Sequence, residues 1–149
     1  MKGLLLAALA AALAGCAGPP ERAADTLALR AIMRDMGREA AAIAEGLMHE
    51  DYARVEAAAL RVASHPQPPV EERARIITWL GPRAALFRGH DAEANRHAQA
   101  VAAAARGRDA KAALAAFHDM QSACNACHAE FRRPLLERFY GPRGAGRSS

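Results

Sequence analysis

Cys124-Asn125-Ala126-Cys127-His128 is the stretch of this 149-residue sequence whose residue types and spacing can do chemistry. On a helix, side chains three and four positions apart share a face, so two thiols and one imidazole leave a single turn in a common direction. The C-x-x-C-H spacing is the attachment signature of c-type haem. The thiols of Cys124 and Cys127 can add across the two vinyl groups at one porphyrin edge, and His128 then projects over the iron as its proximal ligand. Two other chemistries use such a pair. A thioredoxin-like dithiol belongs to a strand-to-helix junction in a βαβ setting, which this sequence lacks. Half of a zinc site could use Cys124, Cys127 and His118 or His128, but no second paired cluster is present in the sequence.

The elements that must position this motif are helices. Alanine fills 40 of the 149 positions, aromatics are 5% and β-branched residues are few, which argues against a sandwich, a barrel or a large parallel sheet. From Asp25 to about Met48, the larger apolar positions Leu29, Met33, Met36, Ala40, Ile43 and Leu47 recur at spacings of 4 and 3, a heptad stripe along one helix. Asp51 can start a second helix with Tyr52, Val55, Ala59 and Val62 inward, and His65-Pro66-Gln67-Pro68-Pro69 ends it. A short helical piece fits Val70 to Leu80. A third long helix runs from about Ala84 or Asp91 to Arg106, closed by Gly107. The fourth starts near Asp109 with Leu114, Phe117, Gln121, Cys124, His128, Phe131 and Leu135 inward, until Pro134 kinks or ends it and Leu135 to Tyr140 forms a final turn.

The expected fold is all-α, an antiparallel four-helix bundle with covalent haem over residues 25–140. Alanine at so many inward positions leaves the core short of volume, so another group should fill it. The five histidines outside the motif, His49, His65, His90, His97 and His118, read as surface residues, and Trp79 as packing.

Both ends of the chain differ from its middle. Residues 1–15 have one charge, Lys2, and then an apolar run too short to span a bilayer, the pattern of a signal peptide. Leu13-Ala14-Gly15-Cys16 resembles the lipobox of bacterial lipoproteins, in which the cysteine is lipidated and becomes the mature N-terminus. Acyl chains at Cys16 would anchor the protein to a membrane. Ala17, where Asp would signal inner-membrane retention, points to the outer membrane of a Gram-negative host. Residues 16–24 read as a tether, and 141–149 as a disordered tail. The formal charge of +4 comes from 18 Arg and 2 Lys spread along the chain, without the basic block that nucleic-acid binding needs.

Over residues 25–135 the sequence resembles the class II c-type cytochromes, the cytochrome c′ family. The likeness rests on a haem motif near the C-terminus, its extension Cys124-x-x-Cys127-His128-x-x-Phe131-Arg132, and Trp79 and Phe87 leading into the third long helix. It implies one covalent haem c between the helices, with a first-helix residue on the far face of the iron. In this family a methionine there gives six-coordinate iron for electron transfer, and an apolar non-ligand leaves the iron open to NO or CO. Met33-Arg34-Asp35-x-Gly37-Arg38 looks like the ligating segment of the six-coordinate members, which makes Met33 the distal candidate and Met36 the runner-up. Arg30, Arg34, Arg38 and Arg132 are candidate propionate contacts. Position 29, where relatives often carry Arg, is Leu.

The resulting expectation is a membrane-anchored electron carrier on the periplasmic side, not a substrate-turnover enzyme. Its redox partners are not legible in the sequence, and the alanine-rich faces are compatible with a homodimer. The alternatives are a five-coordinate haem that binds NO or CO, and a haem-free C-x-x-C module for metal binding or thiol redox.

Overall fold

The structure, a computed structural model, describes residues 27–141. The expected signal peptide, Cys16, the tether and all of the tail beyond Gly141 lie outside the described residues. Six α-helices form in chain order: α1 Ala28–Met48, α2 Tyr52–Ala63, α3 Val70–Leu80, α4 Ala84–Arg106, α5 Ala110–Cys127 and α6 Arg133–Tyr140. A 3₁₀ turn, Gly81–Arg83, joins α3 to α4, and a π-helical turn, His128–Arg132, joins α5 to α6. Four helices, α1, α2, α4 and α5, pack as the expected all-α bundle, with α6 continuing beyond α5. No described helix is long and apolar enough to cross a membrane.

Local chemistry explains most boundaries. Asp51 and Asp109 cap α2 and α5, their carboxylates accepting from the Arg54 amide at 3.1 Å and the Ala112 amide at 2.9 Å. The proline-rich 65–69 segment separates α2 from α3. At Gly81, φ of +54° with ψ of −127° turns the chain into α4, a conformation side-chain-bearing residues avoid. The start of α1 is different, because Leu27 offers no capping side chain. The Glu72 carboxylate of α3 takes that role, accepting from the Ala28 amide at 2.7 Å and the Leu29 amide at 2.8 Å. Tyr140 at the end of α6 donates to the Leu27 carbonyl at 3.2 Å. The N-terminal end of α1 is thus held by two elements remote in sequence.

Two separate cores result. One, rich in alanine, gathers Ile43, Val55, Ala58, Ala59, Val62, Ala98, Val101, Ala102, Ala105 and Met120. The other is aromatic at its edges and gathers Leu27, Ile76, Leu80, Ala84, Phe131 and Leu135, with Trp79, Phe87, Phe139 and Tyr140 packed around them. Trp79 meets Phe139 edge-on at 5.6 Å, in keeping with a packing role. Close approach of α1 to α2 relies on Gly46, where an added Cβ would lie 2.8 Å from Val55 Cγ2 and 3.2 Å from the Asp51 carbonyl.

Three sequence expectations change. Leu114 is 56% exposed, while Ala113 and Met120 face inward, so the buried stripe of the first half of α5 is turned by about one residue. Pro134 neither ends nor breaks the helical run. The wider π turn before it absorbs the clash between the proline ring and the carbonyl four residues back, that of Glu130. Finally, His65, His90 and His97 are not surface residues: their side chains are 6%, 20% and 18% exposed. His118 and His49 are exposed as expected.

Gly46→Ala should lower stability by about 1–3 kcal/mol through overpacking against Val55, read as a lower urea midpoint with an unchanged slope. Glu72→Ala should cost about 1–2 kcal/mol and speed hydrogen exchange at the Ala28 and Leu29 amides selectively.

Candidate haem site

Between the two cores, α1 and α5 stand apart, and a cavity of about 540 Å³ opens between them. Met33 and Met36 reach it from α1, Phe87, His90, Asp91 and Ala94 from α4, and Cys124, Cys127 and His128 from the α5 end. The structure therefore brings together both sequence-predicted thiols, the predicted imidazole and both methionines. The methionines differ in their surroundings. Met36 packs against the alanine-rich core, whereas Met33 belongs to neither core. Arg30, Arg34 and Arg132 border the cavity; Arg38 does not and instead pairs with Asp35.

The motif is fixed from behind by its own helix. Phe131, only 1% exposed, meets Phe87 edge-on at 5.3 Å and His90 at 5.9 Å, and the Arg83 guanidinium lies 4.7 Å over its ring. Arg83 also donates to Glu130 Oε1 at 3.1 Å, and His90 Nε2 stands 3.6 Å from Glu130 Oε2. These contacts seat the π turn directly after the haem motif. His90 Nε2 is nonetheless a buried polar atom without a hydrogen-bond partner among the described residues.

Electrostatics suit a neutral donor set. Burial pushes both thiols up, Cys127 to about 11, with the carboxylates of Asp91 and Glu130 adding to the effect there. The two cysteines are free of any disulfide. Although His128 opens on the cavity, loss of solvation and the neighbouring Arg132 charge lower its pKa, which favours the neutral imidazole that ligation requires. A flat macrocycle with anionic side chains fits this cavity: its size falls within the usual range for a bound organic group, about 300–1,000 Å³, its wall is mostly apolar, and three arginines stand around it. Cys124 and Cys127 would hold the haem and His128 would ligate its iron.

A second cavity, of about 390 Å³, shares Leu29, Met33, Phe87 and Asp91 with the first and continues to His65, Arg73 and Arg88. At its wall His65 Nδ1 is 3.0 Å from the Val62 carbonyl, and Nε2 is 3.2 Å from Asp91 Oδ1. Both partners only accept, so a ring carrying protons on both nitrogens pairs with both. The imidazolium form of His65 satisfies both, and the Asp91 hydrogen bond raises its pKa against the opposing effect of burial. Sequence reasoning missed Asp91 as a site residue. Its spacing of three and seven from inward-facing Ala94 and Ala98 put a carboxylate on the inward side of α4, which was the available signal.

Comparison with known proteins agrees with the haem motif. Residues 78–132 match the family model described as Cytochrome C′, from the last turn of α3 to the end of the π turn. That stretch is cytochrome c′-like and contains Cys124, Cys127 and His128, in a family of covalent haem proteins that are typically not enzymes. No curated protein and no solved structure matches the chain.

Because the folded-state pKa of His65 lies above its unfolded value of about 6.5, its contribution to stability is complete below that pH and is lost as pH rises through the folded pKa. Urea midpoints measured from pH 5 to 9 should show this decline in the native sequence, and His65→Gln should remove that component.

Proposed function

We propose that the chain as a whole is a monohaem cytochrome of the cytochrome c′ family that carries single electrons. Cys124 and Cys127 form the thioether links, His128 is the proximal ligand and Met33 the distal one. The observation that carries this reading is one cavity receiving a thioether from α1 together with two thiols and an imidazole from the end of α5. Met33 is favoured over Met36 because Met36 already packs on the alanine-rich core. The haem, when bound, supplies one-electron chemistry, and a thioether opposite an imidazole favours the ferrous state relative to two imidazoles.

The protein's own residues do the rest. The two cores flank the site and limit water, while Arg30, Arg34 and Arg132 offer guanidinium forks to the propionates. Raised thiol pKa values count against a haem-free metal or thiol-exchange module, which works through thiolates. A thioether carries no charge and tolerates the same apolar wall. The sequence signals at residues 1–16 support export and lipidation at Cys16, with the bundle held on the periplasmic side of the outer membrane and serving protein redox partners there. The alanine-rich helix faces leave a homodimer open to a sedimentation measurement.

An optical spectrum of the matured protein, oxidised and reduced, tests the ligand assignment. The weak red absorption of Met–Fe(III) coordination should be present, persist in Met36→Ala and vanish in Met33→Ala, with CO binding to the ferrous variant accelerated. A high-spin spectrum with fast CO binding in the native protein would instead assign an open site of the NO- or CO-binding type.

A further inference from the structure

The His65–Asp91 pair is the described histidine–carboxylate pair that neither the haem motif nor the helix surfaces account for. His65 follows the C-terminal end of α2, Asp91 sits on the inward side of α4, and they lie 26 positions apart. Their contact is 3.2 Å long, with the His65 side chain 6% and the Asp91 side chain 37% exposed. Asp91 and Met33 line the large cavity and the second cavity alike, so Asp91 stands in the wall that the two share, with His65 on the side of the second cavity. A charge on the enclosed His65 ring responds to other charges nearby more than a surface group does.

We propose that His65 and Asp91 form a proton-binding site coupled to the iron, so that uptake of one electron at the haem is accompanied by uptake of a proton at His65. This rests on the electron-carrier reading and deepens it. In the balanced step, one electron from the redox partner reduces Fe(III) to Fe(II), and one proton from water enters at His65 Nε2, facing Asp91 Oδ1. Nδ1 keeps its proton on the Val62 carbonyl throughout. The direction is fixed by electrostatics. The ferric site carries one more positive charge than the ferrous site, which opposes the imidazolium and lowers its proton affinity. By reciprocity, an imidazolium raises the electron affinity of the iron by the same factor. With His65 neutral, the Asp91 charge stands uncompensated beside the cavity and favours the ferric state.

Few other charges face His65. From α4 there are Asp91 and Arg88, with Asn95 as an uncharged partner, and from α3 there is Arg73. The α1 residues lining this cavity, Leu29, Ile32 and Met33, are all uncharged. On its own element, the C-terminal carbonyls of α2 favour the cation, while Arg61 is paired with Glu39 at 2.7 Å. Arg73 and Arg88 have no carboxylate partner among the described residues, and their fixed charges set a baseline that neither oxidation state changes. The second cavity gives the proton a way from solvent to the pair.

The expected coupling is about fivefold to tenfold in proton affinity, at the modest end of such linkages. A tenfold coupling amounts to a fall of about 59 mV in potential between the acidic and basic plateaus. The direct measurement uses the matured holoprotein without substitution: the His65 ring-proton NMR signal is titrated in the Fe(III) and Fe(II) forms. A higher pKa in the ferrous form, by about 0.7–1 unit, supports the proposal, and equal values in the two forms overturn it. Potentiometry gives a second readout. His65→Gln should lose that step in the potential–pH curve, His90→Gln should keep it, and Asp91→Asn should move it to lower pH. A step surviving unchanged in His65→Gln assigns the proton to another group and overturns the proposal. Neither readout depends on which residue is the sixth ligand. If Met33→Ala leaves the spectrum unchanged while the His65 pKa still differs between oxidation states, the ligand assignment fails and the proton site stands.

Discussion

The separation of α1 from α5 is the constraint on which the rest of this molecule depends. Neighbouring bundle helices normally close on one another until their side chains interdigitate, because apolar surface left apart is surface left in water. Here α2 and α4 bring their alanines into tight contact with α1 and α5 at one end, and Gly46 lets α1 approach α2 there. At the other end, Phe131, Leu80, Ile76 and Leu135 make a second core around the haem motif. Neither core has the volume to close the space between, and a cavity of about 540 Å³ is what remains. The shortage of volume implied by the alanine content is therefore concentrated in one place, against one set of donors.

Holding that opening takes contacts from outside the four bundle helices. Glu72 of α3 caps the first amides of α1, and Tyr140 of α6 binds its preceding carbonyl. Met33 sits little more than one helical turn beyond this anchored end, so its reach into the cavity depends on α3 and α6 as much as on α1. On the opposite wall, Arg83 and Phe87 perform the same service for the π turn through Glu130 and Phe131. The short elements, easily dismissed as connections, position the chemistry.

Charge follows the same division. At the alanine-rich end, arginines meet carboxylates in exposed pairs such as Arg54 with Glu45 and Arg106 with Glu56, each contributing little to stability. Around the cavities the arrangement changes: burial pushes the thiols up, the His128 pKa is lowered, and a half-buried ion pair, His65 with Asp91, stands in the wall. A low-polarity wall that disfavours thiolate suits thioether links.

The sequence by itself determined the elements and the donor set. Heptad stripes, the Asp51 and Asp109 caps and the prolines after His65 are local signals, and they marked the helices to within a few residues because capping and periodicity act over a turn or two. Cys124, Cys127 and His128 were legible for the same reason, since their spacing is a property of one helical turn. What only the tertiary structure decided are relations across long separations. Glu72 capping α1, the different surroundings of Met33 and Met36, and His65 leaving the surface for Asp91 all depend on how helices rotate against one another. A heptad stripe fixes a helix face only to within about one residue position. Leu114 and Met120 show the consequence, exchanging exposed and buried sides once α5 was packed against α4.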